Sequence, residues 1–353
     1  MRVAIDTSYV PRGPSGTAVY IERLIGALGA EGVEVVRLRQ PIRGRRGGRN
    51  KLRSAANAAL DLAWTRELLP RAAERAKADV LHHPLPAWSP TPIPQVVTVH
   101  DVAFARHPDD FDPLWRRIAL RSHRRAVAHA GAVVVVSEST GRDAIAWLRA
   151  RAEAVVVAPH GPGQELAPPD SRRVDHFLYV GDDEPRKNVA GLLEAHARYR
   201  AGGGSKALVL AGAAAARADT GVGPARGSAD TAAGPAVVGV PRPSAAQLAE
   251  LHAAAVALVH PARDEGFGLT VLEAMAAGTP VIAARSAAIE ELVGEAAVIV
   301  EDGRLAEAMQ RLDGDRALQG SLAAAGRRRA AEFSWQRSAK AHVEAYTLAR
   351  NSQ

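Results

Sequence analysis

The sequence contains no cysteine in its 353 residues. A chain without cysteine has no disulfide framework, no thiol nucleophile and no cysteine-ligated metal. It also lacks any apolar run near the ~18 residues that a membrane-spanning helix requires, and residues 1–6 predict a first strand rather than a signal peptide. These absences predict a cytoplasmic protein, and the length favours two α/β domains over one compact core.

Acidic residues are absent from residues 37–53, which we call the basic segment. Its cations are Arg37, Arg39, Arg43, Arg45, Arg46, Arg49, Lys51 and Arg53. Such a block favours an anionic lipid surface, an anionic acceptor or nucleic acid, against the plain alternative of a solvated loop. No aromatic side chain is interleaved with the cations, and this disfavours nucleic acid, because no platform for stacked bases is present. We therefore predict peripheral association of the basic segment with the inner face of an anionic membrane, and no nucleic-acid partner.

Short β-branched runs alternate with helical patterns along the chain. The predicted strands span residues 3–6, 33–37, 80–83, 96–99, 133–136 and 155–158 in a first series, and 177–180, 207–210, 237–240, 255–259, 280–283 and 297–300 in a second. Apolar strands that alternate with helices indicate parallel sheets covered on both faces. Two series therefore predict two Rossmann-like halves, joined in the Pro- and Gly-rich stretch 159–169. Residues 213–235 lack periodicity and predict a flexible surface loop.

The most informative stretch, residues 263–282, places two carboxylates around a Gly-Phe-Gly turn. Glu265 lies in the loop, and Glu273 lies about one turn into a helix predicted for residues 269–277, which Gly278 ends. Backbone N–H groups at a helix start suit an anion, and glycines let that anion approach closely. Two carboxylates beside an anion site predict a ligand with many hydroxyls and a phosphate, such as a nucleotide sugar.

Residues 265–281, Glu-Gly-Phe-Gly-Leu-x-x-x-Glu-Ala-Met-Ala-x-Gly-x-Pro-Val, resemble the signature of the retaining glycosyltransferases of family 4. The resemblance extends over almost the whole chain and implies the α/β fold called GT-B, in which two Rossmann-like domains face a cleft. It implies an acceptor-side domain over residues 1–165, a nucleotide-sugar-binding domain over residues 166–335, and a C-terminal helix over residues 336–353 that packs back on the first domain.

The resemblance also implies roles for residues of this signature. Glu265 would bind hydroxyls of the donor sugar near the reacting carbon, and Glu273 would bind the ribose. The backbone N–H groups of residues 266–268 would stabilise charge on the leaving diphosphate. The donor-binding residues implied by the signature are Glu265, Gly266, Phe267, Gly268, Leu269 and Glu273.

A second motif, residues 179–188, follows a predicted strand and opens a helix predicted for residues 188–199. Arg186 and Lys187 fall at the start of that helix, where two cations repel each other unless an anion binds, and a diphosphate is the obvious anion. The motif resembles the family's G-x-x-x-P-R-K-N loop, which implies that Lys187 contacts the donor's diphosphate. Many relatives have an Arg directly after the Gly, where this chain has Asp182, so Arg186 is expected to share the role.

Three weaker signals complete the predicted site. Gly16 lies in a Gly-rich loop that, by resemblance, approaches the donor, and this loop lacks the G-x-G-x-x-G pattern of NAD-binding folds. His100 follows a predicted strand, and ligands bind at the carboxyl ends of the strands in open parallel sheets. The resemblance places His100 near the donor sugar and the backbone of Val240 near the base.

These patterns predict a retaining glycosyltransferase that moves a sugar from GDP-mannose or a UDP-sugar to a hydroxyl acceptor, with a lipid-linked acceptor among the candidates. Its predicted catalytic residues are Glu265, Lys187 and His100. His82 and His83 are adjacent on a strand and point to opposite faces, so we expect no metal site, and we expect no cofactor beyond the donor. A nucleotide-sugar epimerase of the same fold and a non-catalytic protein that binds sugar nucleotides or tethers to a surface are the alternatives.

Overall fold

The computed structural model describes residues 1–10, 15–41, 51–164, 176–218, 236–301 and 303–352, with only the backbone for residues 51–55. The chain divides into two compact units. The first comprises Met1–Gly163 together with Ser334–Gln353, and the second comprises Gln164–Phe333. Each unit is built from alternating strands and helices, as the sequence predicts.

The first unit contains a six-stranded parallel sheet. Its strands are β1 Arg2–Asp6, β2 Glu34–Leu38, β3 Val80–His83, β4 Gln95–Val99, β5 Ala132–Val135 and β6 Val155–Val157. Its first helices are α1 Gly16–Ala30, α2 Lys51–Ala63, α3 Leu69–Arg75, α4 Ala103–Arg106, α5 Pro113–His129 and α6 Glu138–Leu148. The strand order is β2-β1-β3-β4-β5-β6, and the register pairs Ala4 with Leu81 and Val97 with Val133. Every residue of β3, β4 and β5 is buried, including the polar residues His82, His83, Gln95 and Thr98.

The second unit contains another six-stranded parallel sheet. Its strands are β7 His176–Val180, β8 Ala207–Ala211, β9 Val237–Val240, β10 Ala255–His260, β11 Val281–Ala284 and β12 Val298–Val300. Its helices are α7 Val189–Ala201, α8 Ala245–Ala254, α9 Leu269–Ala277, α10 Ala287–Val293, α11 Leu305–Gly314 and α12 Arg316–Ala330. The strand order is β12-β11-β10-β7-β8-β9, so the chain reverses its direction of growth between the central neighbours β7 and β10. Open parallel sheets bind ligands outside the carboxyl ends of the strands at such a reversal.

The last helix, α13 Trp335–Asn351, belongs to the first unit and not to the second. It packs against α1, and Trp335 and Tyr346 are buried in the core of that unit. The helix lies so close to the end of α5 that a Cβ on Gly131 would stand 2.7 Å from the Cα of Ala349. The return of a C-terminal helix to the first unit confirms what the resemblance implies.

A buried polar cluster joins α13 to the first sheet. The Tyr20 hydroxyl lies 2.8 Å from Thr98 Oγ1 and 2.8 Å from His342 Nε2. His82 Nε2 lies 2.9 Å from Thr98 Oγ1, and its Nδ1 lies 2.9 Å from the Tyr346 hydroxyl. Burial lowers the pKa of His82 well below its usual value and that of His342 to about 4, so both rings are neutral at neutral pH. The cluster therefore holds the helix by hydrogen bonds between neutral groups.

The prediction of a loop over residues 213–235 is wrong at its start. Residues Ala213–Arg217 form a 3-10 helix, and Ala214 and Ala215 are buried. Short side chains allow this turn to pack on the sheet, and they also leave no apolar periodicity from which the sequence could predict it. Residues 219–235 lie outside the described residues.

The basic segment lies largely outside the described residues. Residues 42–50 are not among them, and residues 51–53 are described only as the helical backbone of α2. Arg37 is paired, since its Nη1 lies 2.9 Å from Glu22 Oε2 on α1. A helical stretch begins within the basic segment and is not among the predicted elements. It consists of α2, the π-helical turn Trp64–Leu68 and α3. No helix in the described part of the chain has the length and apolarity needed to cross a membrane.

Candidate functional site

Two loops meet at the centre of the second sheet. One follows β7 and carries Arg186 and Lys187, and the other follows β10 and carries Glu265. A main-chain hydrogen bond joins them, because the Arg263 N–H donates to the Arg186 carbonyl at 3.0 Å. The strand order causes this meeting, since β7 and β10 are neighbours although 78 positions separate Lys187 from Glu265.

Nitrogen atoms of three side chains lie close to the Glu265 carboxylate. Lys187 Nζ contacts Glu265 Oε1 directly, Arg186 Nη1 lies 3.5 Å from Oε2, and His260 Nε2 lies 3.3 Å from Oε1. Burial raises the pKa of Glu265, but Lys187, His260 and Arg186 together outweigh burial and hold that pKa well below its usual range. The carboxylate is therefore ionised at neutral pH. It accepts hydrogen bonds and has no proton to donate.

The two cations of the second motif are paired with a carboxylate of the protein itself, that of Glu265. Arg186 and Lys187 are expected to repel each other unless an anion binds, and in this structure the Glu265 carboxylate contacts both. The cations also lie before the helix and not within its first turn. They belong to a 3-10 turn, Pro185–Lys187, and Asn188 adopts a left-handed φ of 51° before α7 begins. A bound diphosphate would thus compete with Glu265 for Lys187.

Helix α9 is delimited by glycines that its backbone requires. Gly268 precedes the helix with φ 96°, and Gly278 ends it with φ 75°. A Cβ on Gly268 would lie 2.5 Å from Ile289 Cδ1, so a larger residue would also clash. The helix therefore spans Leu269–Ala277 as predicted, and the segment of Gly266, Phe267 and Gly268 leads into its first turn, where backbone geometry suits an anion.

Glu273 lies one turn into α9 and is only 5% exposed. Its helix neighbours Leu272 and Ala274 are buried as well. Charged side chains are seldom buried without a partner, so this burial rules out the plain alternative of a solvated surface glutamate. Glu273 and Glu265 therefore belong to one loop-and-helix unit, and both are withdrawn from bulk solvent.

His100 and Gly16 belong to the first unit. His100 follows β4, and its Nε2 lies 3.0 Å from the Pro84 carbonyl oxygen, to which it donates. Burial lowers the pKa of His100, and the hydrogen bond to Pro84 only partly offsets this effect. The ring is thus neutral, with Nδ1 as its acceptor. Gly16 begins α1, next to the helix cap Ser15, and open space surrounds its missing Cβ.

At two further positions from the sequence motifs, Val240 and Asp182, the main-chain carbonyl accepts a hydrogen bond. Val240 ends β9, and its carbonyl oxygen accepts a hydrogen bond from the Gly212 N–H at 3.0 Å. The carbonyl of Asp182 accepts from the Tyr179 hydroxyl at 2.8 Å, while the Asp182 side chain is exposed. These contacts fix the loop backbone on the β8 and β9 side of the sheet.

His260 is a residue of this site that the sequence analysis does not identify. It is the last residue of β10, is 3% exposed, and faces Glu265. Its position at the carboxyl end of a strand, directly before the signature, is the signal that could have indicated it. Within the described ranges, no group of three or more His, Asp or Glu side chains has the arrangement of a metal site.

Comparison with known families gives two matches. Residues 14–200 match the family model described as "Glycosyltransferase Family 4". Residues 169–329 match the model described as "Glycosyl transferases group 1". The first match alone covers more than half of the chain.

Individual relatives and structures agree with these matches. The chain is 27% identical to O-antigen chain mannosyltransferase B of Escherichia coli over 72% of this chain and 70% of that protein. It is 29% identical to MMP alpha-(1->4)-mannosyltransferase of Mycolicibacterium hassiacum over 72% of this chain and 66% of that protein. Sucrose-phosphate synthase from Thermosynechococcus elongatus superposes with a TM-score of 0.77 at 20% identity, over 98% of both chains. The fold is GT-B, as the resemblance implies.

Proposed function

Because the chain belongs to glycosyltransferase family 4 and is a glycosyltransferase, we propose that it transfers a sugar from a nucleoside-diphosphate sugar to a hydroxyl acceptor with retention at the anomeric carbon. One observation supports this proposal above the others. Glu265, Lys187 and Arg186 form one charged cluster, with His260 beside it, at the reversal point of the second sheet. A site that already balances one anion against two cations suits a ligand that brings a diphosphate and hydroxyl groups together.

Donor binding exchanges the partners of this cluster. The diphosphate takes Lys187 and Arg186, and Glu265 turns its lone pairs to hydroxyls of the donor sugar. Glu273 accepts hydrogen bonds from the ribose hydroxyls. The backbone of residues 266–268 at the start of α9 adds N–H groups toward the diphosphate. Glu265 then acts by its position and charge and not as an acid, because it has no proton to give.

The proposed transfer needs no nucleophilic side chain of the protein. The bond between the anomeric carbon and the diphosphate oxygen breaks, and a bond from the acceptor oxygen forms on the same face. The acceptor proton passes to the departing phosphate oxygen. Lys187 and Arg186 stabilise the negative charge that grows on the diphosphate, which is the largest kind of catalytic contribution that such a site makes. Because these side chains supply positive charge at the diphosphate, we propose that the reaction requires no metal ion.

A mannosyl donor such as GDP-mannose is the first candidate, because two relatives that align over most of this chain are named mannosyltransferases. The test is a thermal-shift screen of UDP, GDP, ADP and TDP, followed by turnover of the matching sugar donor with candidate acceptors. A nucleoside diphosphate at 100 times its dissociation constant stabilises the fold by about 2.7 kcal/mol. Release of free nucleoside diphosphate together with a glycosylated acceptor supports transfer. An epimerised donor supports the epimerase alternative, and binding without turnover supports a tethering protein.

We also propose that the acceptor is lipid-linked and that the basic segment binds the anionic membrane that contains this acceptor. Each cation near such a surface contributes about 1 kcal/mol, and salt screens the attraction over a Debye length of about 8 Å. We expect vesicle flotation to fall steeply as salt rises. We also expect it to fall when Arg43, Arg45, Arg46 and Arg49 are changed to Ser. Equal flotation with neutral and anionic vesicles at low salt would contradict this role and favour a soluble acceptor.

A further inference from the structure

The Gly-Phe-Gly turn before α9 has one side chain by which it can be held. Gly266 and Gly268 contribute only backbone, and the backbone of glycine is the least restricted of any residue. Phe267 between them is 7% exposed, so its ring is packed into the protein. The positions of the N–H groups of residues 266–268 therefore depend on what contacts the Phe267 ring and on what lies behind the glycines.

The end of α12 supplies a contact to that ring. Phe333 follows the helix, and its N–H donates to the Ala330 carbonyl at 3.0 Å, which continues the last turn. The rings of Phe333 and Phe267 meet nearly edge to face, with centres 5.9 Å apart and planes at 70°. Rings attract each other in this arrangement, because the positive edge of one lies against the negative face of the other. Phe333 thus holds the turn by its one side chain.

Arg329, one helical turn before Phe333, joins that ring to α10. Its guanidinium carbon lies 5.0 Å from the centre of the Phe333 ring. The Arg329 Nε donates to the Leu292 carbonyl at 2.8 Å, and its Nη2 donates to the Glu291 carbonyl at 2.7 Å. Both carbonyls belong to the last turn of α10, where helical N–H partners run out. One side chain therefore closes the end of α10 and supports the Phe333 ring.

Helix α10 lies directly behind the Gly-Phe-Gly turn. Its side chains Ile289 and Leu292 are buried. A Cβ on Gly268 would stand 2.5 Å from Ile289 Cδ1 and 3.2 Å from Leu292 Cδ2, so the turn rests on these two side chains. Arg329 consequently supports the turn by two routes, through Phe333 to Phe267 and through α10 to Gly268.

We propose that Arg329 and Phe333 are positioning residues of the donor site, which hold the N–H groups of residues 266–268 toward the diphosphate. This inference rests on the proposed function, in which that turn binds the leaving diphosphate. Both residues act through the turn and not by contact with the donor. Backbone donors that are fixed in advance need no reorganisation when negative charge develops on the diphosphate. Loss of either support should therefore weaken the binding of a diphosphate.

A role in stability alone is the plain alternative. An aromatic pair and an arginine at the end of a helix stabilise many proteins without any part in their activity. The two roles differ in their dependence on Phe267. A stabilising pair changes the free energy of unfolding and leaves anion binding by the folded protein as it was. A positioning residue changes anion binding, and it does so only while the Phe267 ring is present.

The test is calorimetry of the whole protein with inorganic pyrophosphate. Phe333→Leu should weaken binding about threefold to tenfold, the range that corresponds to the loss of one aromatic pair. Phe333→Tyr keeps the ring and should bind as the wild type does. Arg329→Gln should also weaken binding, because the end of α10 and the Phe333 ring both lose a partner. The matched control is Arg328→Gln, which removes the same charge from the adjacent, exposed position of α12 and should leave binding unchanged.

A double-mutant cycle separates positioning from stability. Phe267→Leu should weaken pyrophosphate binding, and adding Phe333→Leu should weaken it no further, because the second ring then has no ring to hold. Amide hydrogen exchange without ligand should be faster at residues 266–268 in folded Phe333→Leu than in the wild type. Phe111→Leu is the control for losing a ring, since it breaks the stacked pair of Phe111 and Trp115 in the first unit, with centres 5.6 Å apart. It should change neither readout.

Wild-type pyrophosphate affinity in folded Phe333→Leu and Arg329→Gln would overturn the positioning role. Additive losses in the cycle would overturn it as well, because Phe333 would then act without Phe267. If Phe333→Leu does not fold, Arg329→Gln alone decides. Failure of the wild type to bind pyrophosphate would overturn the diphosphate site itself and the positioning role with it. Pyrophosphate binding that depends on Phe333, in a protein that transfers no sugar, would overturn the proposed transfer and support the positioning role.

Discussion

Lys187→Ala is expected to reduce kcat/KM for sugar transfer by about 10²–10³-fold, the usual cost of removing one group that stabilises a developing anion. The reason lies in the cluster around Glu265. Lys187 is the cation in direct contact with that carboxylate, and with Arg186 it is proposed to bind the diphosphate when the donor enters. Steady-state kinetics with the donor identified in the thermal-shift screen measures the effect.

A control separates this loss from a general effect of removing a lysine. Lys340→Ala changes an exposed lysine on α13 and should leave kcat/KM unchanged. A cooperative unfolding transition must also show that the Lys187→Ala protein is folded. This check is needed because Glu265 loses one partner in this variant and keeps Arg186 and His260. A folded Lys187→Ala protein with wild-type kcat/KM would remove Lys187 from the mechanism.

Glu265→Gln and Glu273→Gln are expected to have opposite effects on the binding of the nucleoside diphosphate alone. Glu273→Gln should weaken it about 10- to 100-fold, since hydrogen bonds to a charged acceptor contribute roughly 1.5–3 kcal/mol. Glu265→Gln should not weaken it and should tighten it, because Lys187 and Arg186 no longer pair with the carboxylate. Transfer should nevertheless fall in Glu265→Gln by at least about 100-fold, because the donor sugar loses its anionic partner.

Calorimetry with the diphosphate tests this division, and Glu250→Gln serves as the control from an exposed position on α8. A second readout is the melting temperature. Without ligand, Glu265→Gln leaves neighbouring cations uncompensated and should melt lower than the wild type. Inorganic pyrophosphate should raise its melting temperature more than it raises that of the wild type. Equal losses of diphosphate affinity in Glu265→Gln and Glu273→Gln would disprove the separate roles.

Much of the fold follows from local sequence pattern. The predicted strands 80–83 and 237–240 agree with β3 and β9 at both ends, and a proline, Pro84 or Pro241, directly follows each of them. The predicted helix 269–277 agrees with α9 at both ends, which Gly268 and Gly278 fix through their left-handed backbones. The same logic fails for Ala213–Arg217, where alanine and a single turn carry no pattern.

The sequence predicts which residues belong to the site but not which of them contact each other. The motifs select Lys187 and Glu265, yet nothing local reveals that they contact each other across 78 positions of sequence. That contact depends on β7 and β10 being neighbours, which is a property of the whole sheet. His260 has only its position at the end of β10 to indicate it, and its proximity to Glu265 depends on how the loop after β10 folds back. The roles of these residues in transfer stay predictions until the variants are measured.

The path of the chain determines the order in which the units can be completed during synthesis. Domains generally fold as they emerge from the ribosome, the N-terminal one first. Here the first unit lacks its closing helix until Ser334–Gln353 has been made, whereas the second unit is a continuous insertion. The second sheet can therefore form while Tyr20 and His82 still lack His342 and Tyr346. A chain that ends near residue 333 would have a complete second unit and an open core in the first.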